Sequence, residues 1–135
     1  MQYDNTPTVV VVLAPTPSGE LITVRRNNEP GKGLLGLPGG YHMRGETWQQ
    51  AGVRELFEET GYMAHPGQLQ LVSMETDEYG NNLVIAKVRG AVFGAQDADH
   101  EEVQEIVLLR GIPWPDRVAF PRHFYAIRKR YLGLL

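Results

Sequence analysis

Three glutamates in the middle of the chain are the residues best placed for chemistry. Glu55, Glu58 and Glu59 lie in the stretch RELFEETG, and on a helical wheel they fall within an arc of about 100°. Like charges three or four residues apart on a helix repel each other, so the cluster alone costs stability. Carboxylate oxygens on one surface are the hard ligands that Mg²⁺ and Mn²⁺ prefer. The pattern therefore indicates a divalent metal site on one helix face.

A solvated acidic face explains the same pattern, because runs of charge on a helix often do no more than meet water. In that interpretation the glutamates pair with arginines, for which the candidates are Arg25, Arg26, Arg44 and Arg54. The helix pattern alone leaves both interpretations open.

The wider spacing around the glutamates matches a known motif. Gly40 is followed after five residues by Glu46, and after seven more by Arg54-Glu-Leu-x-Glu-Glu-x-Gly61. This resembles the Nudix box, G-x5-E-x7-R-E-U-x-E-E-x-G-U with U an aliphatic residue, and only the final U departs, as Tyr62. The resemblance covers nearly the whole chain. It implies a single Nudix domain over residues 1–135, an α/β/α sandwich with a mixed β-sheet between helices.

The resemblance to Nudix hydrolases also implies a reaction. Members cleave the pyrophosphate of a nucleoside diphosphate linked to another moiety, with Mg²⁺ or Mn²⁺ as cofactor. The substrate classes left open are ADP-ribose-type or NADH-type compounds, nucleotide sugars and (d)NTPs. The lead-in EPGKG and the overall layout are more similar to members that act on ADP-ribose-type or NADH-type compounds than to those that act on oxidised dNTPs.

The box residues take their expected roles from the family. Glu58 and Glu59 match metal ligands, as does the backbone carbonyl of Gly40, and Glu55 matches a further ligand that acts as a base in some members. The full expectation is metal binding by Gly40, Glu55, Glu58 and Glu59, catalysis by Glu55 and Glu58, and structural support by Glu46 and Arg54.

Family members often draw one more carboxylate, as base or ligand, from a loop after the box. The candidates lie in the acidic stretch 97–105. The pattern Glu-Glu-Val before a short strand makes Glu102 the first choice as a catalytic residue and Glu101 the second. An ordinary solvated loop is the alternative for each.

Substrate binding is predicted for residues that flank the box. Arg25 and Arg26 end a strand, and the planar guanidinium suits bidentate binding of phosphate; pairing with the glutamates of the box is the alternative. Gly39 and Gly40 are also predicted to bind substrate, because glycine lets the backbone approach an ion and a pyrophosphate closely.

Shorter patterns predict the elements that must position these residues. Thr47 to Gln50 fits a capping box and Gly61 a C-terminal cap, which predicts a helix over 48–60. Its core-facing side is predicted to carry Val53, Leu56 and Phe57.

Strands are predicted over 8–14, 20–25, 68–76, 82–93 and 105–110, with the second as the hairpin partner of the first. Pro121 is predicted to start a second helix. This order predicts a mixed sheet with helices packed on its faces.

Composition narrows the class of protein. The 135 residues include 42% hydrophobic and 21% charged residues, typical of one globular domain. The absence of cysteine excludes disulfides and thiolate metal sites. A net charge of −3 gives no general attraction to nucleic acid or anionic membranes. Residues 1–6 lack the features of a signal peptide, so we expect a cytoplasmic protein.

We therefore expect the partner to be a small nucleoside diphosphate derivative, with no nucleic acid and no membrane, and a homodimer stays open because many relatives are dimers. The main alternative function is a catalytically inactive Nudix-like module that binds a nucleotide as a sensor. Degenerate boxes usually accompany that role in the family, so the intact box favours hydrolysis.

Overall fold

The computed structural model describes residues 3–135 as a mixed α/β fold. The strands are β1 Thr8–Leu13, β2 Leu21–Arg26, β3 Leu35–Gly36, β4 Gly39–Tyr41, β5 Tyr62–Met63, β6 Leu69–Thr76, β7 Asn82–Val88, β8 Phe93–Gly94 and β9 Val103–Leu109. The helices are α1 Trp48–Thr60 and α2 Pro121–Tyr131, with short 3-10 helices at Pro66–Gln68 and Pro115–Arg117. Residues 1 and 2, which belong to the amino-terminal stretch assessed for a signal peptide, lie outside the described residues. None of the helices within 3–135 combines the length and the apolar character needed to cross a bilayer.

The strands of the described chain divide into three sheets. The largest is a mixed sheet in the order β4-β1-β7-β6, in which β1 runs parallel to β7. A second, antiparallel sheet has the order β3-β2-β9, and β5 pairs with β8. The predicted α/β class, with a mixed sheet and two helices, is confirmed.

The predicted hairpin between β1 and β2 is wrong. The two strands lie in different sheets, and an isolated antiparallel bridge joins Leu21 to Pro15, which lies after the end of β1. β1 instead pairs with β4 on one side and β7 on the other. A strand that is apolar on both faces gains most burial inside a sheet, so β1 is central and the turn after it carries the chain to the second sheet.

Apolar side chains that alternate along β1 build the core on both faces of the mixed sheet. Val12 packs in a cluster with Leu56 of α1, whereas Leu13 packs in a cluster with Ile127 of α2. Each helix therefore covers one face of the mixed sheet. This packing positions both helices relative to β4 and to the hairpin of β6 and β7.

α1 begins and ends where the sequence predicts. The Thr47 hydroxyl accepts a hydrogen bond from the Gln50 N–H (3.1 Å), and the Gln50 side chain accepts one from the Thr47 N–H (2.8 Å). At the other end Gly61 adopts the left-handed conformation with φ 77°, which glycine takes without strain.

The buried face of α1 differs from the predicted one. Leu56 is fully buried and Val53 partly buried, but Phe57 is 53% exposed, so its predicted core position was wrong. Gly52 is buried instead, and a Cβ there would lie 2.7 Å from a leucine methyl of β6. Small residues let the helix approach the sheet closely. Because Gly52 and not Phe57 faces the protein, Glu59 also faces inward and is only 6% exposed.

The remaining predicted elements are present with shifted ends. β6 and β7 form an antiparallel hairpin through the turn 77–81, but β7 ends at Val88. The chain turns after it at Gly90, which has φ 79°, and Phe93 then pairs with Met63 in the small sheet. α2 starts at Pro121 as predicted.

Candidate active site

A cavity of about 600 Å³ lies between β4, the end of α1, the β6–β7 turn and the start of α2. This volume suits a small organic ligand. The cavity is lined by three carboxylates, the glutamate group (Glu55, Glu59 and Glu102), and by three rings, the aromatic group (Tyr79, Phe120 and His123).

Two glycines bring the backbone before α1 against the glutamate group. The Gly39 N–H donates to Glu59 Oε1 at 2.8 Å. A Cβ on Gly40 would lie 2.5 Å from the Glu55 carboxylate, and a Cβ on Gly39 would overlap the backbone of Val10. Each close approach therefore requires glycine.

Glu59 is a buried carboxyl group with little to stabilise its charge. Burial raises its pKa to about 8 against the opposing effect of the Gly39 hydrogen bond, and repulsion from Glu55 and Glu102 adds to the rise. Its second oxygen has no hydrogen-bond partner among residues 3–135 and is not one of the enclosed, unpaired atoms there. That oxygen therefore keeps surface that is open to the cavity.

Glu55 lies one helical turn before Glu59 and is also largely buried. Burial raises the pKa of Glu55, against the opposing effect of the Arg54 guanidinium, with Glu58 and Glu102 adding repulsion. The glutamate group is thus a set of neighbouring carboxylates with too little positive charge around it.

Glu102 is held in place through the backbone of its loop. The Asn27 N–H donates to the Glu102 carbonyl at 3.0 Å, and the Asn27 side chain donates to the Glu101 carbonyl at 2.8 Å. These contacts pin the loop to the end of β2. Both Glu101 and Glu102 are exposed, but only Glu102 lines the cavity.

The Arg54 side chain contacts several residues of the Nudix box. Its guanidinium makes a two-pronged ion pair with Glu46 at 2.8 and 3.0 Å and donates to Glu55 at 3.0 Å. The same group donates to the Tyr41 carbonyl of β4 at 3.0 Å. The hydrogen bond from Arg54 is the main reason that the pKa of Glu46 falls to about 2.

Glu58 is placed differently from the other box glutamates. It is exposed, its carboxylate lies 3.3 Å from Arg54, and it is not among the residues that line the cavity. Its predicted role as a metal ligand stays a prediction that requires the side chain to leave Arg54.

Arg25 and Arg26, at the end of β2, make different contacts. Arg25 pairs with Glu105 at 2.7 Å and does not line the cavity. Arg26 lines it, donates to the Pro30 carbonyl at 2.8 Å and places its guanidinium carbon 4.8 Å from the centre of the Phe120 ring. Within residues 3–135 neither arginine forms an ion pair with a glutamate of the box, so Arg26 is the better placed for a ligand.

The aromatic group joins the β6–β7 turn to the start of α2. The ring centres of Tyr79 and Phe120 lie 6.4 Å apart, and those of Phe120 and His123 lie 4.9 Å apart. Sequence reasoning gave Phe120 and His123 no place in the site, because only tertiary packing brings them to it. The Phe-Pro pair at the start of α2 marks the helix and carries no signal of a cavity.

The donor chemistry of the glutamate group fits a hard divalent cation. Glu55, Glu59 and Glu102 supply carboxylate oxygens. Burial raises the pKa values of Glu55 and Glu59, and repulsion from Glu102 adds to both shifts. Within residues 3–135 no three His, Asp or Glu side chains are already gathered as a complete ligand set. A cation here would draw together groups that otherwise repel each other.

The chain belongs to the NUDIX domain family, whose family model matches residues 4–125. It is similar to the ADP-ribose pyrophosphatase of Methanocaldococcus jannaschii, with 33% identity over 97 residues. The match covers 70% of this chain and 57% of that protein. The chain therefore spans little more than half the length of this relative.

Solved structures show the same fold. The NUDIX domain of Shewanella oneidensis NrtR, complexed with ADP ribose, superposes with a TM-score of 0.77 at 21% identity, over 98% of this chain and 91% of that one. A bifunctional NMN adenylyltransferase/ADP ribose pyrophosphatase from Francisella tularensis, complexed with AMP and a Mn ion, gives a TM-score of 0.70 at 21% identity, over 100% of this chain and 44% of that one.

Proposed function

We propose that this protein is a Mg²⁺- or Mn²⁺-dependent pyrophosphohydrolase that acts through residues 1–135 as a single Nudix domain. Its substrate is a nucleoside diphosphate linked to another moiety, cleaved at the pyrophosphate. The observation that carries this proposal is the convergence of Glu55, Glu59 and Glu102 on one cavity beside Gly40.

The metal would be held by oxygens of the glutamate group and by the carbonyl of Gly40, with Glu58 joining when its side chain leaves Arg54. A divalent ion supplies neutralisation of phosphate charge and a lowered pKa for a bound water. The open oxygen of Glu59 is the best-placed ligand, because the Gly39 N–H fixes the other oxygen.

The proton of the attacking water needs an acceptor within hydrogen-bond reach. Glu55 and Glu102 are the two candidates, since both line the cavity. Arg54 and Glu46 act as positioning residues, because their ion pair holds Glu55 and the end of β4 without lining the cavity themselves. Arg26 is the candidate for contacting a phosphate.

ADP-ribose is the first substrate to test. The M. jannaschii relative is named an ADP-ribose pyrophosphatase, and the S. oneidensis domain was solved with ADP ribose. NADH-type compounds, nucleotide sugars and (d)NTPs complete the panel. A small soluble substrate of this kind is consistent with our proposal of a cytoplasmic protein that needs neither nucleic acid nor a membrane, and a homodimer would be compatible with it.

One observation favours the alternative of a nucleotide-binding module without turnover. The Glu58 carboxylate is engaged by Arg54 and lies outside the cavity wall. If that arrangement persists with ligand bound, the metal site lacks one of its expected ligands. Saturable binding of a nucleotide with no product formed would support this second function.

The test is hydrolysis of the panel with Mg²⁺ or Mn²⁺, followed by phosphorus NMR of the products. Wild type should release two phosphate-terminated products from at least one pyrophosphate substrate. Glu55→Gln and Glu58→Gln should each lose about 100-fold or more in kcat, whereas Phe57→Leu, an exposed neighbour on α1, should match wild type. Hydrolysis of no compound, or full activity in both glutamine variants, would contradict the proposal.

A further inference from the structure

The chain passes from one sheet to the other through two residues, Leu37 and Pro38, which we call the crossing segment. They join β3, which pairs with β2, to β4, which pairs with β1. Both residues are buried in the protein. Gly39 and Gly40, which approach the glutamate group, follow directly. The course of the crossing segment therefore decides where the backbone of these glycines lies.

The crossing segment and the glycine after it are held by three different elements. The Leu37 N–H donates to Nδ1 of His123 on α2 at 3.1 Å, and the Val12 N–H of β1 donates to the Pro38 carbonyl at 3.0 Å. The Gly39 N–H then donates to a carboxylate of α1. Since proline has no N–H, the crossing segment has a single backbone donor, and the acceptor of that donor is a side chain of α2.

His123 presents its acceptor nitrogen in a fixed position. The residue is buried in α2, and its ring centre lies 4.9 Å from that of Phe120. Burial, with a smaller effect of the Arg26 charge, lowers the pKa of His123 to about 3. The ring is therefore neutral near pH 7, and Nδ1 keeps the lone pair that accepts from Leu37.

The Leu37 N–H lies where water does not readily replace a lost partner. Its hydrogen bond to His123 is buried, and the Leu37 side chain packs in one cluster with Ala126 and Ile127 of α2. A buried N–H without an acceptor is unfavourable, so loss of Nδ1 should move the crossing segment until its N–H finds another partner. Gly39 follows two residues later and would move with it.

We propose that His123 is a positioning residue of the metal site: by accepting from Leu37 it fixes the crossing segment that places Gly39 and Gly40 against the glutamate group. This inference rests on the proposed function, since it takes the glutamate group and Gly40 as the metal ligands. It gives α2, which covers one face of the mixed sheet, an influence on ligands that belong to α1 on the other face.

Binding of Mn²⁺ alone, measured by titration calorimetry without substrate, tests this role. His123→Leu removes the acceptor, whereas His123→Asn carries an amide oxygen as many bonds from the backbone as Nδ1. His123→Leu should bind Mn²⁺ about 10- to 100-fold more weakly than wild type, and His123→Asn should recover the affinity to within about threefold, since the affinity of a metal site depends on the groups that orient its ligands.

Amide NMR spectra of the metal-free protein report on the crossing segment itself. In His123→Leu the Gly39 amide proton should move upfield, because its hydrogen bond to Glu59 lengthens, and in His123→Asn it should return toward the wild-type position. A Gly39 resonance that is unchanged in His123→Leu would mean that the disturbance stays at Leu37, and this would overturn the inference.

Two further variants separate this role from a general loss of stability. Ile127→Val trims a fully buried side chain of the same helix, so it should lower the unfolding temperature while Mn²⁺ affinity stays within about threefold of wild type. His123→Gln carries its amide oxygen one bond farther out than Nδ1 and should bind Mn²⁺ about tenfold more weakly than His123→Asn. This second pair decides the question if His123→Leu does not fold.

Equal Mn²⁺ affinities for wild type and His123→Leu, or for the Asn and Gln variants, would overturn the inference, as would a loss in Ile127→Val as large as that in His123→Leu. Mn²⁺ affinities in the expected order, in a protein that hydrolyses no pyrophosphate, would overturn the proposed function and leave the role of His123 in place. Hydrolysis by a protein whose His123 variants all bind Mn²⁺ equally would do the reverse, so the two failures are distinguishable.

Discussion

The Gly39 N–H donates to the carboxylate of Glu59 at 2.8 Å, and this is the one hydrogen bond that the carboxylate receives from residues 3–135. The contact joins β4 to the last turn of α1 and holds one carboxylate oxygen, while the other stays open to the cavity. Glycine is required on both sides of this contact, because a Cβ on Gly39 would overlap Val10 and Val11 of β1 and a Cβ on Gly40 would overlap the Glu55 carboxylate of α1.

The two glycines at this contact should respond differently to alanine. A Cβ on Gly40 would meet the Glu55 carboxylate, which can swing aside, so Gly40→Ala should fold but lose activity. A Cβ on Gly39 would overlap the backbone of Val10, which cannot move freely, so Gly39→Ala should lower stability by about 1–3 kcal/mol. Thermal unfolding and initial rates measure the two effects.

Gly67→Ala is the control for this pair, because a Cβ there would meet no atom within 4 Å. It should match wild type in both measurements. An active Gly40→Ala would show that the close approach of β4 to α1 is not needed, and a Gly39→Ala variant as stable as wild type would show the same for the approach of β4 to β1.

The burial of the Glu59 carboxyl group should make the stability of the metal-free protein depend on pH. The folded state holds this proton up to about pH 8, whereas the unfolded chain releases it near 4.5. Between those values the folded state binds more protons, so the free energy of unfolding should fall as pH rises, by at most about 1.4 kcal/mol per pH unit. Unfolding midpoints in EDTA from about pH 5 to about pH 8 measure this.

Glu59→Gln isolates the effect, because its side chain is neutral at every pH. Relative to this variant, wild type should lose stability as pH rises, and Mg²⁺ should restore it near pH 8. Parallel pH profiles of stability for the two proteins would mean that burial does not raise the pKa of Glu59 in the folded state.

Arg54→Lys should lower kcat about 10- to 100-fold, the size expected when a group that orients ligands is lost. Lysine keeps the charge but cannot bridge Glu46, Glu55 and the Tyr41 carbonyl at once. Steady-state kinetics are the measurement. Arg110→Lys, which alters an exposed ion pair with Glu20, is the control and should leave kcat unchanged. Equal kcat values for the two variants would contradict a positioning role for Arg54.

Neighbouring glutamates in the acidic loop offer a matched pair of variants. Glu102→Gln should reduce kcat by about 100-fold or more if this carboxylate is base or ligand, because it lines the cavity beside Glu55 and Glu59. Glu101→Gln should leave kcat unchanged, since this residue does not line the cavity. A larger loss in Glu101→Gln than in Glu102→Gln, measured by the same assay, would reverse the assignment.

Local signals predicted α1 well, because its ends depend on contacts within a few residues. The capping box at Thr47 and the left-handed conformation at Gly61 both depend on residues that are close in sequence. The buried face could not be predicted in the same way: Phe57 is apolar yet exposed, because the helix turns the small residue Gly52 and the acidic Glu59 toward the protein.

Strand pairing and the aromatic group lay beyond short-range patterns. β1 and β2 are adjacent in sequence and both apolar, so a hairpin was the simplest prediction, but the burial of both faces of β1 places it between β4 and β7. Phe120 and His123 reach the cavity only because α2 packs against the sheet beside the β6–β7 turn. The Nudix box gave the glutamates, while the cavity that surrounds them depends on the whole fold.

Initial rates of ADP-ribose hydrolysis as a function of Mg²⁺ concentration, for wild type and Glu59→Gln, test the central claim most directly. The account predicts that the wild-type rate rises to saturation with Mg²⁺ and falls to background in EDTA, and that Glu59→Gln loses at least about 100-fold at every concentration. Full wild-type activity in EDTA, or equal rates for the two proteins, would contradict it.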